Sequence, residues 1–302
     1  WNQPAPGVAG AAAENLRRPF ASKYPWLGTV QVFQAFQVSN YHALQATLTQ
    51  KVYHGVNFTA GYTYGHALDQ APGDVNPTAP QNGLNPAGEY GNGIQDVRHR
   101  LTLQGRYALP SKKTPLQALE GWSMTFATQF WSALPFNAVD TTNDVSGVGQ
   151  LQDRWDLIGK PSDFSGYGRT SPIPCYGAAG STFAAAAGCS TGLPQACIDA
   201  ANSLPTNPNV PSTAAGATGL SQLNRYGCYM AGGSVILPPA QGTFGTMSRY
   251  MLRGQGFNEI DISIMKNWMI KERYMVQFRA EFYNLPNKTQ YAQLSATNGA
   301  SL

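Results

Sequence analysis

Apolar and polar side chains alternate almost without error through residues 42–66. Leu44, Ala46, Leu48 and Val52 share one face of an extended segment, with Gln45, Thr47, Thr49 and Lys51 on the other. After His54-Gly55, Val56, Phe58, Ala60, Tyr62 and Tyr64 oppose Asn57, Thr59, Gly61 and Thr63. Strand side chains alternate with period two, so the pattern predicts strands at 42–53 and 56–66 joined by a very short turn. The dyad returns at 98–109, where Leu101, Leu103, Tyr107 and Leu109 stand against Arg98, Arg100, Thr102, Gln104 and Arg106, and at 121–132, where Trp122, Met124, Phe126 and Phe130 fall together. A last hairpin puts Ile260, Ile262, Ile264, Trp268 and Ile270, then Tyr274, Val276, Phe278, Ala280 and Phe282, on one face around a Lys271-Glu272-Arg273 turn. Asp261, Ser263, Asn267, Gln277, Arg279 and Glu281 stand opposite, and that many charged and polar groups on one face require water or mutual pairing. A weaker run, Gly28–Gln37, reads as a further strand.

Strands of soluble sheets average about five or six residues, whereas strands that cross a bilayer need about nine to eleven. The long amphipathic ribbons therefore predict an all-β fold, an antiparallel transmembrane β-barrel segment with long extracellular loops, facing lipid outside and water inside. Trp122, Trp268, Tyr274 and Tyr53 cluster near the tight-turn ends, as an interfacial aromatic girdle would. Gln50 and Lys266 break the rule by falling on the lipid face, where a lysine at mid-bilayer costs about 2–4 kcal/mol unless its stem snorkels to the interface.

Between the ribbons the pattern divides the chain. Residues 1–27 are a Pro- and Ala-rich irregular lead-in, and 28–136 hold the first hairpins with a Pro-punctuated loop at 67–97. Residues 137–256 form a long loop region rich in Pro, Gly, Ala and Ser, with one short helix near Leu193–Ser203 carrying Pro194 in its first turn, and 257–302 are the last hairpin and tail. Three tight connections alternate with three long excursions, the asymmetry of outer-membrane barrels.

Composition agrees. Charged residues are 12% of the 302, half the usual quarter, while 32 Gly, 21 Pro and 11% aromatics suit turns and aromatic-rich strands. A net charge of +4 with scattered basic residues excludes a nucleic-acid footprint. The four cysteines, Cys175, Cys189, Cys197 and Cys228, all lie in the long loop region and predict two disulfides in an oxidising compartment, with three pairings open. Their spacing lacks a C-x-x-C pair and no histidine is near, which argues against zinc. No signal-peptide pattern opens the chain at Trp1, so an exported protein is expected to be processed or a fragment.

Gly188-Cys189-Ser190-Thr191-Gly192 matches the G-x-S-x-G elbow and makes Ser190 the candidate nucleophile of a serine hydrolase, but that motif needs a strand before it and a helix after. Ser263-x-x-Lys266 matches S-x-x-K, yet in a strand the two residues point to opposite sides. Asp69, Asp74, Glu89 and Asp96 could offer oxygen to calcium but lack the order of a calcium loop, and neither a metal nor a cofactor is expected. Arg98, Arg100 and Arg106 share the polar face below a long loop and are the candidate ligand-binding residues; pairing of these arginines with Glu281 or Asp261 is the competing reading.

Four segments, SNYHALQATLTQKVYHGVNFTAGYTYGHALD at 39–69, EYGNGIQDVRHRLTLQGRYALP at 89–110, GWSMTFATQFWSALPF at 121–136 and GTFGTMSRYMLRGQGFNEIDISIMKNWMIKERYMVQFRAEFYNLPNK at 242–288, resemble the C-terminal barrel of Oar-like TonB-dependent outer-membrane receptors. The resemblance implies a large barrel of about 22 strands in the bacterial outer membrane, plugged by an N-terminal domain and energised from the inner membrane through a TonB-type protein to import a scarce or bulky ligand. Its partners would be outer-membrane lipid, that ligand and the energiser. No TonB box, plug or closing aromatic-ended strand is found, so the energiser would act through an N-terminal part outside this chain. Besides this receptor and a hydrolase using Ser190, the long Ala/Gly/Pro-rich region allows a surface adhesion or structural module.

Overall fold

The computed structural model describes residues 2–30, 37–70, 80–140, 143–151, 153–168, 171–271, 273–290 and 296–297. Six long strands form one antiparallel sheet in sequence order: β1 (Ser39–Tyr53), β2 (Val56–Asp69), β3 (His99–Ala108), β4 (Trp122–Trp131), β5 (Phe257–Ile270) and β6 (Tyr274–Phe282). The short strand Gly91–Asn92 pairs with the end of β2. His54 and Gly55 both have positive φ, 48° and 82°, the backbone of a two-residue turn whose twist matches that of the flanking strands.

The register carries the sequence pattern across the whole sheet. Leu48 lies opposite Ala60, Ala60 opposite Leu103, Leu103 opposite Thr128 and Thr128 opposite Ile260. One level lower, Phe58, Gly105, Phe126, Ile262 and Phe282 form the next row, and below it Val56, Tyr107, Met124, Ile264 and Ala280 form another. Alternate residues on the other face align as Asn57, Arg106, Thr125, Ser263 and Glu281. A slip of one residue in any pair would have mixed the two faces, so the register is fixed by the dyad itself. A register shift between Gln50 and Tyr53 brings Tyr53 opposite Val56, on the apolar side.

Among the described residues, nothing covers most of that apolar face. Leu44 is 66% exposed, Leu48 62%, Phe278 53% and Val276 49%. Burying one such side chain is worth about 1.5–3 kcal/mol, so leaving the whole face in water forfeits more than about 10 kcal/mol, as much as the net stability of a typical domain. The face is therefore built for lipid. From Val56 to Tyr64 it spans about 26 Å along the strand at the usual rise, enough for the apolar band of an outer-membrane wall. No described helix is long and apolar enough to cross a membrane.

Three expectations need correction. β2 runs to Asp69, so the loop expected from 67 begins later, and it carries a 3₁₀ turn at Pro86–Glu89. Gly28–Val30 and Gln37 are not strand, and the rest of that expected strand lies outside the described residues, as do Asp74 and Glu272. The stretch read as a long loop is a folded head. It holds α2 (Thr182–Ala186), α3 (Gln195–Ser203) and α4 (Gly219–Tyr226), while α1 (Ala11–Leu16) lies in the lead-in that docks on it. α4 starts on a reciprocal Thr218–Ser221 capping box and stops at Gly227, whose φ is 81°. Pro194 precedes α3 as its N-cap. A five-stranded sheet orders Ser190–Thr191, Cys175–Gly177, Cys228–Ala231, Ser234–Leu237 and Asp156–Ile158. Phe136, Trp155, Phe164, Ile236, Met247 and Leu252 fill one head core, and Leu204, Leu223, Val235 and Leu237 a second beside the Cys197–Cys228 disulfide. The other disulfide joins Cys175 to Cys189, which settles the pairing.

Candidate functional site

The polar face of the sheet is concave. All six strands line a trough of about 720 Å³, with Lys51, Arg106, Asp261, Arg279, Glu281 and Tyr283 among its walls. Strand alternation puts these residues there, and the same alternation sets the unlike charges of Arg279 and Glu281 side by side along one strand. Arg279 Nε lies 3.0 Å from Glu281 Oε1 and donates to Ser263 Oγ at 3.3 Å. Asp261 accepts the backbone N–H of Asn284 at 2.8 Å. Arg106 donates to Ser123 Oγ at 3.3 Å, and among the described residues no carboxylate pairs with it. The trough thus offers hydroxyls, amides and charges of both signs to a solute.

The three predicted arginines do not act together. Arg106 lines the trough, whereas Arg100 sits over the Trp131 ring, 4.8 Å from its centroid. Arg98 is held at the head end, where its Nε meets the buried Asp96 carboxylate at 2.8 Å and its Nη2 lies 2.8 Å from His66 Nε2. The expected pairing of these arginines with Glu281 or Asp261 is not formed; Glu281 takes Arg279 and Asp261 takes a backbone amide.

Asp96 is instead the hinge pin between sheet and head. It accepts the Ala67 N–H at 2.8 Å and pairs with both Arg98 and Arg253. Burial pushes its pKa up, but the Ala67 amide and the two guanidiniums outweigh burial and hold the carboxyl below its ordinary value. Beside it Asp69 pairs with Arg249, and Glu89 takes Arg154 through two bonds of 2.6 and 3.1 Å. Gln81 bridges Arg154 N and Gly245 O, which stitches the 80–98 segment to the head. Asp69, Glu89 and Asp96 thus hold arginines rather than calcium, and among the described residues no group of acids, histidines and cysteines is arranged to hold a metal.

Ser190 is exposed in a two-residue strand. The segment feeding it is the helix α2, not a strand, and all four histidines stand on the long strands or their first turn. The elbow arrangement is absent. Ser263 and Lys266 lie on opposite faces, as strand geometry requires. Lys266 is only 1% exposed: its Nζ donates to Gln117 O and Glu120 O and lies 5.6 and 5.1 Å from the Trp122 and Trp268 ring centroids. The 110–121 connection folds over the cation, so this lysine on the lipid face is shielded at the tight-turn end.

A family model for an outer membrane beta barrel domain matches residues 1–302. The chain belongs to that family. No curated protein and no solved structure matches it. Membership places this outer-membrane barrel protein in the bacterial outer membrane and explains the uncovered apolar face. The sequence pattern does not show the head because its strands are short and its central ones, Cys228–Ala231 and Ser234–Leu237, are almost wholly buried, which erases alternation. Gly232-Gly233 between Met230 and Val235 was a legible hairpin turn, with Cys228–Ala231 and Ser234–Leu237 as its arms.

Proposed function

We propose that this barrel protein is part of the wall of a TonB-dependent receptor that imports a scarce or bulky ligand, with the head turned outward and the trough lining the path inward. The observation that carries the reading is the pairing of an apolar outer face with a trough of mixed charge that lies below a head fixed by three ion-paired acids, Asp69, Glu89 and Asp96. Four segments resembling Oar-like receptors point the same way. Arg106 is the arginine placed to meet a solute, while Arg98 and Arg100 support the mouth. Deleting the gene and measuring uptake of a ferric chelate, a corrinoid and an oligosaccharide, each with and without a protonophore, tests it. The receptor reading expects loss of an energised component for at least one probe, restored by the gene but less well by its Arg106→Glu form. Unchanged uptake of all three contradicts it. An adhesive role is the second reading, favoured by the two cores and two disulfides of the head. Deletion would then lower surface attachment and leave uptake intact.

A further inference from the structure

The charges that face the trough are sorted by strand. β1 and β3 bring Lys51 and Arg106 to it, and neither strand contains an acid; the acid of β2, Asp69, is taken by Arg249 at the head end. β4 contains no charged residue and lines the floor with Thr125 and Ala127. Beyond it β5 brings Asp261, with Glu259 on the same face two residues nearer the head. The register sets the two walls level with each other: Gln104, Ala127 and Asp261 form one row, and Arg106, Thr125 and Ser263 the next. β6 adds Arg279 and Glu281, which neutralise each other.

These sorted charges have no ionic partners of their own. Among the described residues no carboxylate pairs with Lys51 or Arg106, and no cation pairs with Asp261 or Glu259. Arg106 reaches the Ser123 hydroxyl at 3.3 Å, and Asp261 accepts the Asn284 N–H at 2.8 Å, which leaves most of each group's hydrogen-bonding capacity to the trough. Two strand spacings separate the backbones of β3 and β5, about 10 Å. Walls of opposite sign that far apart, over an uncharged floor, favour a solute that carries both charges. A peptide with free ends is such a solute: at about 3.3 Å per residue, about three residues span the gap with one end on each wall. Its N–H and C=O groups would meet Gln104, Thr125 and Ser263 around the floor. A single amino acid or a phosphoethanolamine group holds its two charges only a few bonds apart and touches one wall at a time. The trough's volume of about 720 Å³ lies in the ordinary range of ligand sites.

We propose that the trough binds short peptides of about three residues, with the carboxylate toward Arg106 and Lys51 and the ammonium toward Asp261. The inference rests on the receptor reading only in making the peptide a cargo; the binding belongs to the wall itself.

Calorimetric titration of the full chain in detergent with trialanine, N-acetyl-trialanine, trialanine amide and the doubly capped peptide tests it at neutral pH and low salt. Trialanine is expected to bind at least about tenfold more tightly than either singly capped form, an advantage that shrinks as salt is added. Arg106→Gln should erase the difference between trialanine and its amide while keeping that between trialanine and its acetylated form, and Asp261→Asn should do the reverse. Equal affinity of the free and doubly capped peptides in the wild type would overturn the proposal, as would no binding of trialanine at millimolar concentration. Maltotriose binding as tightly as trialanine would overturn it too, by showing a polar surface that does not select charge. Unchanged uptake on gene deletion would remove import and leave these affinities standing, whereas lost end-dependence would remove the peptide and leave energised uptake standing.

Discussion

At the scale of single residues, two buried charges do the positioning. Lys266 violates the apolar face in sequence, yet the fold gives its ammonium two carbonyls and two indole rings under the 110–121 connection. Lys266→Met would leave those carbonyls without a donor, and we expect a loss of about 1–3 kcal/mol, read from the urea midpoint in detergent; an unchanged midpoint would show that the carbonyls find other donors. Asp96 is the second. Because its pKa is lowered in the folded chain, its pairing stabilises the joint above the ordinary carboxylate range and is lost as pH falls through the lowered value. Asp96→Asn should cost about 2 kcal/mol at neutral pH and abolish the acid-induced loosening of the head expected of the wild type below about pH 4, followed by near-ultraviolet circular dichroism. Neither effect was legible from sequence alone, since Arg98 was visible as a cation but its partner was not.

Among elements, the long strands were read well and the head was not, for one physical reason. β1, β2, β3, β5 and β6 each expose one face to lipid and one to water, so their sequence repeats the period of the backbone. Ser234–Leu237 is buried on both sides and shows no period at all. The cysteines marked the head as oxidised and loop-like without revealing that Cys197–Cys228 ties α3 to the Cys228–Ala231 strand beside a packed core. Replacing both members of that disulfide by serine should cost the head about 2–4 kcal/mol, seen as a lowered thermal midpoint of the near-ultraviolet signal while the far-ultraviolet sheet signal of the barrel strands persists. Simultaneous loss of both signals would mean that head and wall fold as one unit. In the sheet, Gly105 faces the lipid side between two phenylalanines, where a Cβ would stand 2.7 Å from Phe126 Cζ and 2.8 Å from Phe58 Cβ. Gly105→Val should therefore destabilise the wall by about 1–3 kcal/mol despite valine's preference for strands, and a stabilised variant would contradict the register.

For the molecule as a whole, the account is a curved wall with a head on one end. Among the described residues β1 and β6 leave their outer edges unpaired. Unpaired backbone in hydrocarbon costs several kcal/mol per group, so within the bilayer each edge needs a further strand. β1 runs from the head end to the turn end and β6 returns, so both edges accept antiparallel neighbours. Everything rests on which face of the sheet meets lipid. Nitroxide labels placed one at a time along 100–107, in phospholipid vesicles, read this directly through collision with oxygen, which partitions into lipid, and with a polar nickel chelate. The account predicts oxygen contact at 101, 103, 105 and 107 and chelate contact at 100, 102, 104 and 106. Labels at 101, 103 and 107 that are shielded from both reagents would place a second protein layer over that face and contradict it.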